Sequence, residues 1–183
     1  MARSNSKRLF FALWPDDRVR DHLWRLQKRL QLSAGRLVHK QDLHITLQYL
    51  GQANEDQLDC VKAAASRVGV DSFSLEIGSI HHWRRSRVLW AGLADVPDEL
   101  HFLVRSLGEQ LTDCGFPPEE RSYRPHVTLA RKVRDAIDVQ LEETIPWIAG
   151  EFVLVVSHTD GRVPGYEPVA RFPFHGKKIL ENK

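Results

Sequence analysis

Two short segments of this sequence share one side-chain order: His44-Ile45-Thr46-Leu47 and His126-Val127-Thr128-Leu129. Alternate side chains of an extended strand face opposite sides. Each segment therefore buries two apolar residues and holds an imidazole and a hydroxyl together on the other face. A single copy reads as an ordinary strand histidine; two copies by accident have a chance of order 10⁻³ on residue frequencies. The pair suits a reaction that needs two proton transfers. Opening a cyclic phosphodiester with water takes a proton from the water and gives one to the departing oxygen. With an unperturbed pKa of about 6.5, one imidazole can be neutral while the other is charged. Thr46 and Thr128 would then donate to the non-bridging phosphate oxygens, where charge develops.

Other residues fit a nucleic-acid substrate. Arg84, Arg85 and Arg87 form the densest basic cluster, close to Trp83 and Trp90. Guanidinium groups beside indoles can cradle an RNA backbone and stack a base. Phe10 and Phe11 point to opposite faces of the first strand. Core packing accounts for both, and Phe11 is carried as the one that stacks on a terminal base. Tyr123 is a further candidate RNA contact, and Tyr166 a weaker one. His81 and His82 are adjacent, so they face apart and make poor joint metal ligands. His158-Thr159 lacks the spacer and is not a third motif. There is no HExxH, Walker or GxSxG pattern. No metal and no cofactor are expected.

The elements that must position the motifs follow from periodicity. Strands are expected at 7–13, at 43–50 closed by Gly51, at 72–80 and 87–93 joined by the basic connection HHWRRS, at 126–131, at 151–159, and at 169–174. A helix opens at Pro15 with Asp16 and Asp17 in its first turn and Val19, Leu23, Leu26 and Leu30 on one face. Asn54 and Gln57 have capping-box spacing for a second helix, ended by Gly69. A third spans about 98–114, stopped by Gly115. Helices among mostly antiparallel strands give an α+β protein.

Composition sets the outer bounds. The 183 residues are 42% hydrophobic and 27% charged, which suits a folded globular chain. A net charge of +2 does not demand a bulk nucleic-acid binder, yet permits a local basic patch. The LFFALW run is too short for a membrane span or a signal peptide. The two cysteines, Cys60 and Cys114, have no metal-ligand spacing and make no disulfide framework, so a reducing compartment, the cytoplasm, is expected.

The two H-x-T-x motifs, 82 positions apart (126 − 44), resemble those of the 2H phosphoesterase superfamily. The likeness is strongest to its RNA 2′,3′-cyclic phosphodiesterases, historically called 2′-5′ RNA ligases. RLFFAL at 8–13 resembles the family's opening strand, LHITLQYLG at 43–51 its first motif strand, WRRSRVLWAG at 83–92 its middle hairpin and RPHVTLAR at 124–131 its second motif. EFVLVVS at 151–157, Tyr166 and Pro168 resemble its closing segment. The resemblance implies one bilobal domain over 1–183, with two antiparallel sheets facing each other across a central cleft and helices flanking them. It implies metal-free hydrolysis of a terminal RNA 2′,3′-cyclic phosphate to a 2′-phosphate, with reversible 2′-5′ joining. It makes His44 the general acid, His126 the general base and Arg131 a phosphate ligand. A monomer with no membrane partner is expected. Three alternatives stay open: action on another cyclic nucleotide or 2′-5′ oligonucleotide, a non-catalytic RNA-binding module, and a metal-dependent hydrolase.

Overall fold

The first strand, β1 (Lys7–Leu13), is buried without a break from Leu9 to Leu13. A strand covered on both faces reads as a continuous apolar run, and β1 lies inside the sheet between β3 (Ile45–Ala53) and β8 (Glu151–Ser157). The computed structural model that shows this describes residues 6–158, 161 and 164–176. Thr159, at the end of the expected 151–159 strand, lies outside them.

The remaining elements follow in chain order. Helix α1 (Asp17–Arg29) starts at Asp16, whose carboxylate accepts from the Val19 N–H at 2.8 Å. Two-residue β2 (Arg36–Leu37) precedes β3. Helix α2 (Glu55–Ala65) carries the expected reciprocal Asn54–Gln57 capping box. Strands β4 (Phe73–Trp83) and β5 (Val88–Leu93) form a hairpin. Helix α3 (Asp98–Leu111) runs on through a 3₁₀ turn to Cys114, and Gly115 stops it in the left-handed conformation, φ 86°. Strands β6 (His126–Arg131), β7 (Val139–Ala149), β8 and β9 (Tyr166–Pro173) complete the described chain.

All the strand pairings are antiparallel, in the order β7-β4-β5-β6-β3-β1-β8-β9, with β2 added on β6. The two expected sheets are the two halves of this path. They meet at a single residue pair, Ile45 opposite Val127, both fully buried. Helix α1 packs on β6 and β7, and α3 on β3 and α2. Most of the core lies on that helical side, with Phe11, Leu43, Leu103, Val127 and Phe152 among its members. A small second cluster of Phe10, Ala12, Val153 and Val155, backed by Trp14 and Tyr166, forms on the opposite face.

Several expectations need correcting. Strand β7, which carries Glu142, Glu143 and Pro146, is not among the expected strands. It is an edge strand, where proline and exposed acids are tolerated. Gly51 does not close β3. The strand continues to Ala53, and Gly51, at φ 77°, sits where the β1–β3 register shifts. His81, His82 and Trp83 belong to β4 rather than to the turn. Cys60 and Cys114 are joined in a disulfide, their Cα atoms 5.7 Å apart. The packing of α2 on α3 brings them together across 54 positions of sequence, so the cysteine count gives no ground for a reducing compartment. Among the described residues no helix is long and apolar enough to cross a membrane.

Candidate functional site

The Ile45–Val127 pair fixes the geometry of both motifs. In an antiparallel ladder the numbers of opposed residues have a constant sum, here 172 (45 + 127), so His44 lies opposite Thr128 and Thr46 opposite His126. The two histidines are diagonal neighbours about 7–8 Å apart at the backbone. A local two-fold axis through the pair relates one His-Thr set to the other. All four side chains are half-buried, while Ile45, Leu47, Val127 and Leu129 fill the core behind them.

Each imidazole is oriented by a backbone carbonyl two residues earlier. His44 Nδ1–H donates to Asp42 O at 2.6 Å, and His126 Nδ1–H donates to Arg124 O at 2.7 Å. That selects the tautomer whose Nε2 is free to accept or carry a catalytic proton. Thr46 Oγ1–H donates to His44 Nε2 at 3.1 Å, whereas His126 Nε2 has no such partner among the described residues.

Aromatic walls hold both rings. Phe10 lies 4.9 Å from His44 between ring centroids, Trp14 stacks on it at 5.6 Å and 17°, and Tyr166 meets it edge-on at 5.2 Å. Trp83 and Trp90 meet His126 edge-on at 4.7 and 5.8 Å. Burial among these rings lowers the pKa of both histidines. His44 falls to about 4, and the hydrogen bond to Asp42 O only partly opposes this. The charges of His126 and Arg131 press His44 further in the same direction, and Arg131 acts likewise on His126. Arg131 therefore sits where its field reaches both imidazoles. It is exposed, on the cleft side opposite Val88. A negatively charged group between the rings would reverse these shifts and favour an imidazolium.

The other sequence candidates fall out differently. Phe11 is not an RNA contact. It is fully buried, 5.9 Å from Phe152 and 6.0 Å from Phe172, and its neighbour Phe10 faces His44 instead. Tyr123 is half-buried, and its hydroxyl donates to Thr46 O at 3.1 Å, so it braces the first motif from the segment leading into the second. Arg84, Arg85 and Arg87 are exposed in the β4–β5 turn, which follows directly on Trp83.

Sequence reading missed Trp14 and Asp42. Phe10, Ala12 and Trp14 have strand spacing, which is the signal that would have placed Trp14 on the cleft face. The Asp42 carboxylate accepts from the Gly165 and Tyr166 N–H groups at 2.9 and 3.1 Å. It thus ties the start of β9, and the Tyr166 ring, to the residue that orients His44. Among the described residues no three His, Cys, Asp or Glu side chains converge as metal ligands.

Comparison with known proteins gives this arrangement a lineage. The family model described as the 2′-5′ RNA ligase superfamily matches residues 15–161. The chain belongs to that superfamily. It is 31% identical over 138 residues to the RNA 2′,3′-cyclic phosphodiesterase of Escherichia coli, covering 74% of this chain and 78% of the relative. It is 32% identical over 131 residues to the enzyme of the same name from Methanothermobacter thermautotrophicus, covering 68% and 70%. The crystal structure of E. coli LigT complexed with 3′-AMP superposes with a TM-score of 0.84 at 28% identity, covering 93% of this chain and 99% of that one. Both H-x-T-x segments, 44–47 and 126–129, fall inside the matched span.

Proposed function

We propose that this protein is an RNA 2′,3′-cyclic phosphodiesterase that opens the terminal cyclic phosphate to a 2′-phosphate, with His44 and His126 as its acid and base. The observation that carries this reading is the symmetric pair of imidazoles, each with Nδ1 committed to a backbone carbonyl and Nε2 turned to a shared space. Superfamily membership supports it, as do relatives named RNA 2′,3′-cyclic phosphodiesterase and the 3′-AMP held by the similar LigT structure.

The cyclic phosphate lies between the rings, its non-bridging oxygens toward Thr46, Thr128 and Arg131. Its charge restores one imidazolium that burial alone suppresses, so the bound state holds one charged ring and one neutral ring. The neutral ring, His126, takes a proton from water as the water oxygen bonds to phosphorus. The P–O3′ bond breaks, and the 3′-oxygen takes a proton from His44. The products are a 2′-phosphomonoester and a free 3′-hydroxyl. With the 5′-hydroxyl of a second strand in place of water, the same displacement forms a 2′-5′ linkage. Two imidazoles and fixed donors supply acid, base and charge stabilisation without calling on a metal.

An oligonucleotide ending in a 2′,3′-cyclic phosphate, incubated with the protein in excess chelator, tests the reading. The expected product carries a 2′-phosphate. A 3′-phosphate product, no product, or activity restored only by a particular divalent ion contradicts it.

A further inference from the structure

The two ends of the cleft differ in charge. At the His126 end, Arg84, Arg85 and Arg87 project from the β4–β5 turn. The Val133 N–H donates to Arg87 O at 3.1 Å, which draws Lys132 and Arg134 against the same turn. None of these cations forms an ion pair among the described residues. Two open hollows flank this turn. One of about 680 Å³ is lined by His82, Trp83, Arg84 and Arg85. The other, about 440 Å³, is lined by His82, Arg84, Arg87 and Arg134. They share His82 and Arg84. The first begins at Trp83, which touches the His126 ring. Both ring nitrogens of His82 are shielded from water and lack a hydrogen-bond partner.

The His44 end is acidic. Trp14 and Tyr166 lead into a cavity of about 920 Å³ whose wall includes Asp16, Asp17, Glu151 and Glu167. Arg20 pairs with Asp17 and Arg171 with Glu151, while Arg20 Nε and Nη2 have no hydrogen-bond partner among the described residues.

We infer that the RNA body leaves the site over the β4–β5 turn, with its internucleotide phosphates on Arg84, Arg87 and Arg134 and a base against Trp83. This rests on the function proposed above and adds the direction of the strand.

The test compares a 2′,3′-cyclic mononucleotide with a short oligonucleotide ending in the same group, on the wild type and two double variants. Arg84→Gln/Arg134→Gln removes two exposed cations. Each phosphate contact to a single strand contributes roughly 0.7 to the slope of log affinity against log salt, or about 0.7 of a decade for each tenfold dilution of salt. The oligonucleotide-to-mononucleotide ratio of kcat/KM should therefore fall about tenfold, with the salt slope smaller by about 1.4. Glu151→Gln/Glu167→Gln, at the other end, should leave the ratio within about twofold. An unchanged ratio in the arginine variant, an equal fall on both substrates, or a ratio that responds to the glutamate variant instead would overturn the path. If the wild type turns over neither substrate, it is the proposed function that fails.

Discussion

Acid should destabilise this protein through His44, and the size of the effect follows from the ring's surroundings. Burial against Phe10, Trp14 and Tyr166 is the largest cause of its lowered pKa, about 4 against an ordinary 6.5. The unfolded chain protonates the same ring at its ordinary value. Between those two values the unfolded state binds a proton that the native state refuses. Stability from this group is thus whole above pH 6.5 and falls as pH drops toward 4. The linkage relation gives a loss of about 2 kcal/mol by about pH 5 and about 3 kcal/mol at most. His126 is shifted in the same direction and adds to it. Urea unfolding of the wild type and of His44→Gln, in a buffer free of phosphate, isolates the term. Asp21 and Asp135, whose pKa values are lowered from 3.8, are present in both proteins and titrate below this window. The stability difference between the two proteins should shift by about 2 kcal/mol from about pH 7.5 to about pH 5, in favour of the variant as pH falls. A difference constant to within a few tenths of a kcal/mol would refute burial as the cause of the shift.

Arg131→Ala should lower kcat/KM on a cyclic-phosphate substrate by about tenfold or more while moving the unfolding midpoint little, because the side chain is exposed and the proposed function gives it a charge-assisted phosphate contact; unchanged kcat/KM would reduce it to a surface charge. The acid and base roles separate on a substrate whose leaving group needs no protonation, such as a nitrophenyl ester. His44→Ala should be largely rescued on it and His126→Ala should not; rescue of His126→Ala alone reverses the assignment. The wild-type kcat/KM should follow a bell-shaped pH profile whose limbs belong to the coupled pair.

The motif strands were legible because a period-two pattern carries both messages at once. Ile45, Leu47, Val127 and Leu129 point to a core, and the residues between them point away from it. Helix ends were legible where a side chain makes the cap, as at Asn54 and Gln57. The structure adds what residue types do not encode. Leu9–Leu13 is apolar at every position, so the pattern gives β1 no phase, and only its pairing with β3, register shifts included, decides that Phe10 rather than Phe11 faces His44. The carbonyls that orient the histidines belong to Asp42 and Arg124, and any residue type has a carbonyl. Strand β7 was hidden by acids and a proline that only its edge position makes tolerable. The Cys60–Cys114 bond depends on how α2 meets α3, which sequence spacing does not report.

The central claim is that two imidazoles, placed by the Ile45–Val127 seam, carry out the chemistry together. Single-turnover rates of the wild type, His44→Ala and His126→Ala on an RNA ending in a 2′,3′-cyclic phosphate measure this directly, with far-ultraviolet circular dichroism and thermal unfolding to confirm that each variant is folded. Each variant should lose about 10²- to 10⁴-fold in rate, the loss that follows removal of a general acid or base. A folded variant that keeps a rate near that of the wild type would contradict the two-histidine account.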